Sequence, residues 1–215
     1  MSSVSYEVFL PEIMPYVHDV PSIVATQAVR NACIEFCEQT RFLQTTLDPM
    51  ATTAAQPTYD LDADTGYVVV DVIQAWFGDS LLIPKSPDEL TNIYRATDWR
   101  TLQGNPYYFF RERADVLTVV PMPAVSEPNK LKARVAVAPT RASSTVDADL
   151  FERFLEPIAF GARARLYDTP GQTYFDKASA LDYRKRFNDA MAEVRTRINK
   201  GMTRASVRIE FQRFV

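Results

Sequence analysis

Histidine and cysteine are almost absent from this chain of 215 residues: His18, Cys33 and Cys37 are the full set. Any imidazole-based acid–base scheme or catalytic triad must therefore use His18. That residue sits in Tyr16-Val-His-Asp-Val-Pro21, a link between predicted helices, and no G-x-S-x-G nucleophile motif accompanies it. A surface or capping histidine is the better account. Cys33 and Cys37 lie four apart, near one helical face, and two thiolates with one histidine do not complete a zinc site. Two small apolar side chains in a helical core explain them better. There is also no Walker loop, no G-x-G-x-x-G and no apolar run long enough to cross a bilayer. Met1-Ser-Ser-Val-Ser-Tyr-Glu7 has neither a basic n-region nor an apolar h-region, so maturation in a cytoplasm without signal-peptide export is expected.

What is present is ordinary in bulk and uneven in distribution. Apolar residues make up 47% and charged residues 24%, which argues against wholesale disorder. The net charge of −3 hides a split. Residues 184–215 carry nine Lys/Arg against Asp189, Glu193 and Glu210, a net of +6, which leaves −9 on the preceding residues. A chain with a basic end and an acidic body can associate head to tail, or dock its end on an acidic partner.

The pattern changes period twice. Val8 to Val17 suggests a short helix or helical turn limited by Pro11 and Pro15. From Pro21 to about Phe42, Ala25, Val29, Ala32, Cys33 and Phe36 recur at helical spacing. Residues 43–140 hold nine prolines between short β-branched and aromatic runs. Tyr67–Trp76 reads as a strand, Gly78-Asp79 as a turn, and Leu81–Ile83 as the return strand. Tyr107–Phe110, Val116–Val120 and Leu131–Val137 read as three more, and Ser86-Pro-Asp-Glu89 as a capping box for a short helix. Helical period resumes at Asp147, with a bend expected at Pro157. The last helix, from about Thr173 to Gly201, carries Ala180, Tyr183, Phe187, Ala190, Met191, Val194 and Ile198 at seam-like spacing.

The fold class expected from this order is α+β. An N-terminal helix (1–42) and a C-terminal helix hairpin (141–202) would form a helical bundle. A small antiparallel β-sandwich or barrel-like domain (43–140) would be inserted between them, and a strand-like arm (203–215) would follow. In that arm Val207, Ile209 and Phe211 alternate with Arg208, Glu210 and Gln212, the period of a half-buried strand. Such a strand needs a neighbour. It can return to its own sheet or add to another chain by strand augmentation, and the second is the preferred reading.

Candidate chemistry is thin. Asp60, Asp62, Asp64 and Asp71 stand at relative positions 1, 3, 5 and 12 of a calcium loop, but the glycine comes one place late and strands flank it. An acidic hairpin turn is the plainer reading. Glu152 and Glu156 could serve a glycosidase, yet both fall in helical patterns where charges make the solvated face. The basic run from Arg184 to Lys200 could track nucleic-acid phosphates without sequence readout, although Tyr183 and Phe187 are explained by the helical seam.

Several stretches in order resemble the head-to-tail adaptor, or connector, proteins of tailed bacteriophages. They are Asp19-Val-Pro21 followed by Gln27–Cys37; then Gly104-Asn-Pro-Tyr-Tyr108, Leu117–Pro123 and Val135–Pro139; then Leu150–Phe154, Ile158–Leu166, Pro170-Gly171 and Tyr183–Phe187. The resemblance implies a structural virion protein at the neck of the portal vertex, assembled in the host cytoplasm, with no enzyme activity, cofactor or metal. It implies a ring of twelve copies, with the portal protein above and a tail, nozzle or stopper protein below. DNA would pass through the channel without specific binding, and no membrane is involved. Arg184, Lys185, Arg195 and Arg197 would then face a neighbouring copy or the channel. Val207, Ile209 and Phe211 would point into the portal, Phe214 would anchor the end, and Arg204, Arg208 and Arg213 would meet acidic or polar portal surface. The competing classes are a virion-associated cell-wall hydrolase and a non-specific DNA-binding protein.

Overall fold

The computed structural model describes residues 2–95 and 97–201. The chain divides into two compact units, residues 1–42 with 141–215, and residues 43–140.

In the first unit, β1 (Ser3–Ser5) pairs antiparallel with β13 (Thr145–Asp147). A 3-10 helix (Tyr6–Glu12) and α1 (Ser22–Thr40) follow β1, while α3 (Ala148–Tyr167) and α4 (Lys177–Asn199) follow β13. Pro21 is the N-cap of α1, and Asp19 just before it takes a left-handed φ of 61°. Asp147 caps α3 and Asp176 caps α4, each accepting backbone N–H groups of the first turn. The bend in α3 falls at Phe154 (φ −131°, ψ 24°), three residues before Pro157. A proline ring excludes the carbonyl four residues back, and the backbone gives way in that turn.

The core of this unit is where α1, α3 and α4 meet. Phe36 lies 4.9 Å from Phe154 and 6.4 Å from Phe187, centroid to centroid. Phe154, Ile158, Phe187, Met191 and Val194 are all buried. Gly161 fixes the spacing, because a Cβ there would stand 2.9 Å from Phe187 Cζ and 3.1 Å from Ala32 Cβ.

The second unit is built around β12 (Glu127–Pro139), which pairs with β5 (Tyr67–Phe77) on one side and with β2 (Gln44–Thr46) and β3 (Met50–Thr52) on the other. β6 (Ser80–Leu81) adds to the far edge of β5. The β5–β12 ladder slips twice, leaving Ile73 and Val70 as extra residues on β5. Burial along β5 therefore falls on Val69, Val72, Ala75 and Phe77 rather than on every second residue.

A four-stranded sheet runs β4 (Thr58–Asp60), β10 (Val116–Val120), β9 (Tyr108–Arg113), β7 (Ile83–Pro84), with β7 parallel to β9. β8 (Gln103–Gly104) pairs parallel with β11 (Met122–Pro123). α2 (Pro87–Ile93) starts on a capping box in which Ser86 Oγ accepts from Glu89 N at 3.2 Å and Glu89 Oε2 accepts from Ser86 N at 2.9 Å. Leu90, Trp99, Phe110 and Val120 pack one core cluster, with Trp99 edge-on to Phe110 at 5.6 Å.

The expected fold class is corrected here. The protein is a mixed α+β structure, with thirteen strands in four sheets among the described residues, not a helical bundle carrying a small antiparallel sandwich or barrel. Among the described residues there are five helices, counting the 3-10 helix, and one of them, α2, belongs to the strand-rich unit. The β1–β13 ladder also gives the helical unit a sheet of its own. Two-residue and three-residue strands carry no readable period, so the long helices dominated the expectation. The expected arm, 203–215, lies outside the described residues.

Candidate interaction surface

The residues singled out for chemistry do not assemble into a reaction centre. His18 is exposed in the turn before α1. Cys33 and Cys37 are free and fully buried, and burial pushes both thiols well above their ordinary value, which keeps them protonated and unreactive. Asp60 ends β4, whereas Asp71 in β5 accepts from Arg111 Nη1 at 3.3 Å and from its neighbour Val72 N at 2.9 Å. Among the described residues no group of three His, Cys, Asp or Glu side chains is placed to hold a metal. Glu152 and Glu156 are exposed, one turn apart on α3.

The four basic residues of α4 fall into two kinds of surroundings. Arg184 Nη1 donates to both carboxylate oxygens of Glu35 on α1, at 2.9 and 3.0 Å, and Arg165 of α3 meets the same carboxylate. Glu35 thus ties three helices with one charge. Arg197 pairs with Glu193 one turn back on its own helix. Lys185 and Arg195 are exposed, and their side chains have no hydrogen bond or ion pair among the described residues. Arg204, Val207, Arg208, Ile209, Phe211, Arg213 and Phe214 lie outside the described residues.

A second charged feature escaped the pattern reading. Arg163 is 4% exposed, donates through Nε to the Glu12 carbonyl at 3.0 Å, and sits 3.7 Å over the Tyr16 ring. The Tyr183 ring centroid lies 5.3 Å from the same guanidinium, and Tyr183 stacks at 5.8 Å on Tyr167, whose hydroxyl donates to the Tyr16 carbonyl at 2.6 Å. This stack locks the segment before α1 against the α3–α4 pair. The pairing of Arg163 with Tyr16 spans too much sequence for any local period to reveal. Arg186, which faces the Phe160 and Tyr183 rings at 5.8 and 5.7 Å, extends the stack.

The arrangement is that of a scaffold: braced helices, a unit of three sheets, exposed basic side chains on α4, and exposed apolar residues such as Ile23, Leu81, Ile83, Tyr107 and Leu181. No described helix is long and apolar enough to cross a membrane. A comparison with curated proteins finds no match. Residues 6–209, which take in all of the unit 43–140 and most of the other, match the family described as SU10 adaptor protein. That match covers nearly the whole chain, and with it the protein belongs to the SU10 adaptor protein family, a phage head-to-tail adaptor family of structural proteins.

Proposed function

We propose that the protein forms a ring of twelve copies beneath the portal and joins the DNA-filled capsid to the tail. The family match over residues 6–209 is the observation that carries this reading. Lys185 and Arg195 would face a neighbouring copy or the channel wall, where unlike charges on two surfaces of one chain suit a closing, heterologous contact. Arg197, paired with Glu193, would likewise face a neighbouring copy or the channel from another side of α4, and Arg184, held by Glu35, would brace the helix. DNA would pass the channel without sequence readout, and a tail, nozzle or stopper protein would dock below.

Residues 203–215 would be the portal-docking arm. Val207, Ile209 and Phe211 would enter the partner and Phe214 would anchor the end. Arg204, Arg208 and Arg213 would meet acidic or polar surface. Strand addition supplies backbone hydrogen bonds, and the alternate side chains supply specificity. Each large apolar side chain buried contributes roughly 1.5–3 kcal/mol, against about 1–2 kcal/mol per residue to order the backbone. Such an arm orders only where a partner also supplies strand hydrogen bonds.

The test is the mass of the species formed with and without portal, using the full chain and a chain ending at residue 203. The full chain should remain monomeric or weakly associated alone and form the ring on portal. The truncated chain should fold yet fail to join filled heads. A stable twelve-copy ring without portal would refute the templated assembly, and tail joining by the truncated chain would refute the arm.

A further inference from the structure

The solvent face of α4 divides into two stripes of different electrostatic character. Leu181, Lys185, Asn188, Ala192, Arg195 and Asn199 recur at helical spacing and are all exposed. No carboxylate stands on this stripe, and the Lys185 and Arg195 side chains have no ion pair among the described residues. The adjoining stripe neutralises itself, with Asp182 paired to Arg186 at 2.9 Å and Glu193 paired to Arg197. Asp189 belongs to that second stripe and makes no ion pair with Lys185, one turn before it.

α3 carries the opposite imbalance. Glu152 and Glu156 are exposed one turn apart, and their side chains have no ion pair among the described residues, since Arg153 pairs with Asp149 at 3.8 Å. Like charges at this spacing repel and destabilise the helix that carries them. The two imbalances sit on different flanks of α4. Phe160, one turn after Glu156, meets the Tyr183 ring at 5.9 Å and the Arg186 guanidinium at 5.8 Å, so this edge of α3 runs along the Arg186 flank. Arg184 marks the other flank, where it reaches Glu35 of α1. Arg195 follows Arg184 by about three helical turns and shares that flank, with Lys185 on the crest between the two.

We propose that Lys185 and Arg195 of one copy of this chain face Glu152 and Glu156 of the next copy. Cations on one flank and carboxylates on the other make a heterologous contact, which repeats from copy to copy and closes into a ring when the rotation allows. The charges balance one for one. The cations stand about 15 Å apart along α4 and the carboxylates about 6 Å apart along α3, and the long stems of lysine and arginine let the two heads converge. Duplex DNA is the poorer occupant: it carries a charge every 1.7 Å or so of axis, roughly nine across that span, and two cations would leave most of them unmet. The inference rests on the ring reading above and names the residues of one subunit contact.

Charge exchange in the full chain tests it, with ring formation on portal followed by sedimentation. One variant carries Lys185→Glu with Arg195→Glu, a second carries Glu152→Lys with Glu156→Lys, and a third carries all four changes. The four positions are exposed on helices and Lys and Glu are both good helix formers, so the variants fold. The first two should each associate about tenfold more weakly or worse, because like charges then meet across the contact. The third should recover the ring, and so should an equal mixture of the first two, since each altered face then meets its opposite in an alternating ring. Wild-type rings from either of the first two alone, or no recovery in the third and in the mixture, overturns the pairing. Normal rings from the first variant with weaker retention on DNA would assign the stripe to the channel and overturn it as well. Cross-linking decides the contact without a ring. Arg195→Cys in one preparation and Glu156→Cys in another should be joined by a short bis-maleimide when mixed, and neither should couple to itself; Cys33 and Cys37 are fully buried and stay unreacted. Self-coupling, or no coupling in the mixture, overturns the contact. If the wild type forms no ring on portal while unlike copies still cross-link, the ring reading falls and the contact stands.

Discussion

Gly161 is the tightest point of the three-helix contact, and Gly161→Ala measures how rigid that contact is. The added Cβ would approach Phe187 Cζ to 2.9 Å, Phe187 Cε1 to 3.0 Å and Ala32 Cβ to 3.1 Å. Real contacts of a methyl group start near 3.5 Å. None of the three atoms retreats easily. The Phe187 ring is fully buried and lies against Phe36, and Ala32 belongs to the middle of α1. Overpacking of this kind costs about 1–3 kcal/mol. Replacing glycine by alanine inside a helix returns about 1 kcal/mol. The net expectation is a loss of about 1 kcal/mol, opposite in sign to the outcome for an open helical position. The assay is chemical denaturation followed by the helical circular dichroism signal, repeated in a Phe187→Leu background. Removing the ring removes the clash, so the same Gly161→Ala change should then cost less or stabilise, and the cycle isolates the pair. Stabilisation of the wild-type background by about 1 kcal/mol would refute a rigid junction between α1, α3 and α4.

Phe187→Ala should destabilise by about 3–5 kcal/mol as a buried aromatic truncation, whereas Arg195→Ala should stay within about 0.5 kcal/mol; denaturant melts giving the reverse order would mean the faces of α4 are misassigned. Burial pushes the Tyr6 phenol from about 10 up to about 12. A raised folded value means that its contribution is complete below pH 10 and is lost as pH rises towards 12. Tyr6→Phe should therefore flatten the alkaline fall in stability across that window, and an unchanged slope in pH-dependent melts would exclude Tyr6 as its source. Glu35→Gln should destabilise more than Glu193→Gln, because Glu35 is shared by Arg165 and Arg184 while the Glu193–Arg197 pair is solvent-exposed; equal effects in melts would show that the three-helix clamp adds nothing.

The main helices and several strands were legible because their patterns are local. The apolar stripe from Ala25 to Phe36 places α1 at Ser22–Thr40, and the spacing through Phe187, Met191 and Val194 places α4 at Lys177–Asn199. The Ser86 to Glu89 spacing forms its capping box as read. The run Tyr67–Trp76 is a strand, extended by Phe77. Leu81–Ile83, read as one return strand, instead divides at Leu82: β6 joins the sheet of β5, and β7 joins the sheet of β9. A change of sheet within five residues follows from which neighbours are near, and no pattern in Ser80–Pro84 encodes it.

Local chemistry thus settled which segments are helices, where their caps lie, and that the middle of the chain is strand. Tertiary structure alone decided the fold class, because it turns on pairings such as Ser3–Ser5 with Thr145–Asp147, separated by most of the chain. It also decided the two bulges that shift burial along β5, the sharing of Glu35 by Arg165 and Arg184, the contacts of Arg163 with Tyr16 and Tyr183, and the burial of the Thr118 hydroxyl with no partner among the described residues. Periodicity reports only which face of one element is apolar. Which element covers that face, and whether a buried polar atom finds a partner there, is set by packing between segments distant in sequence.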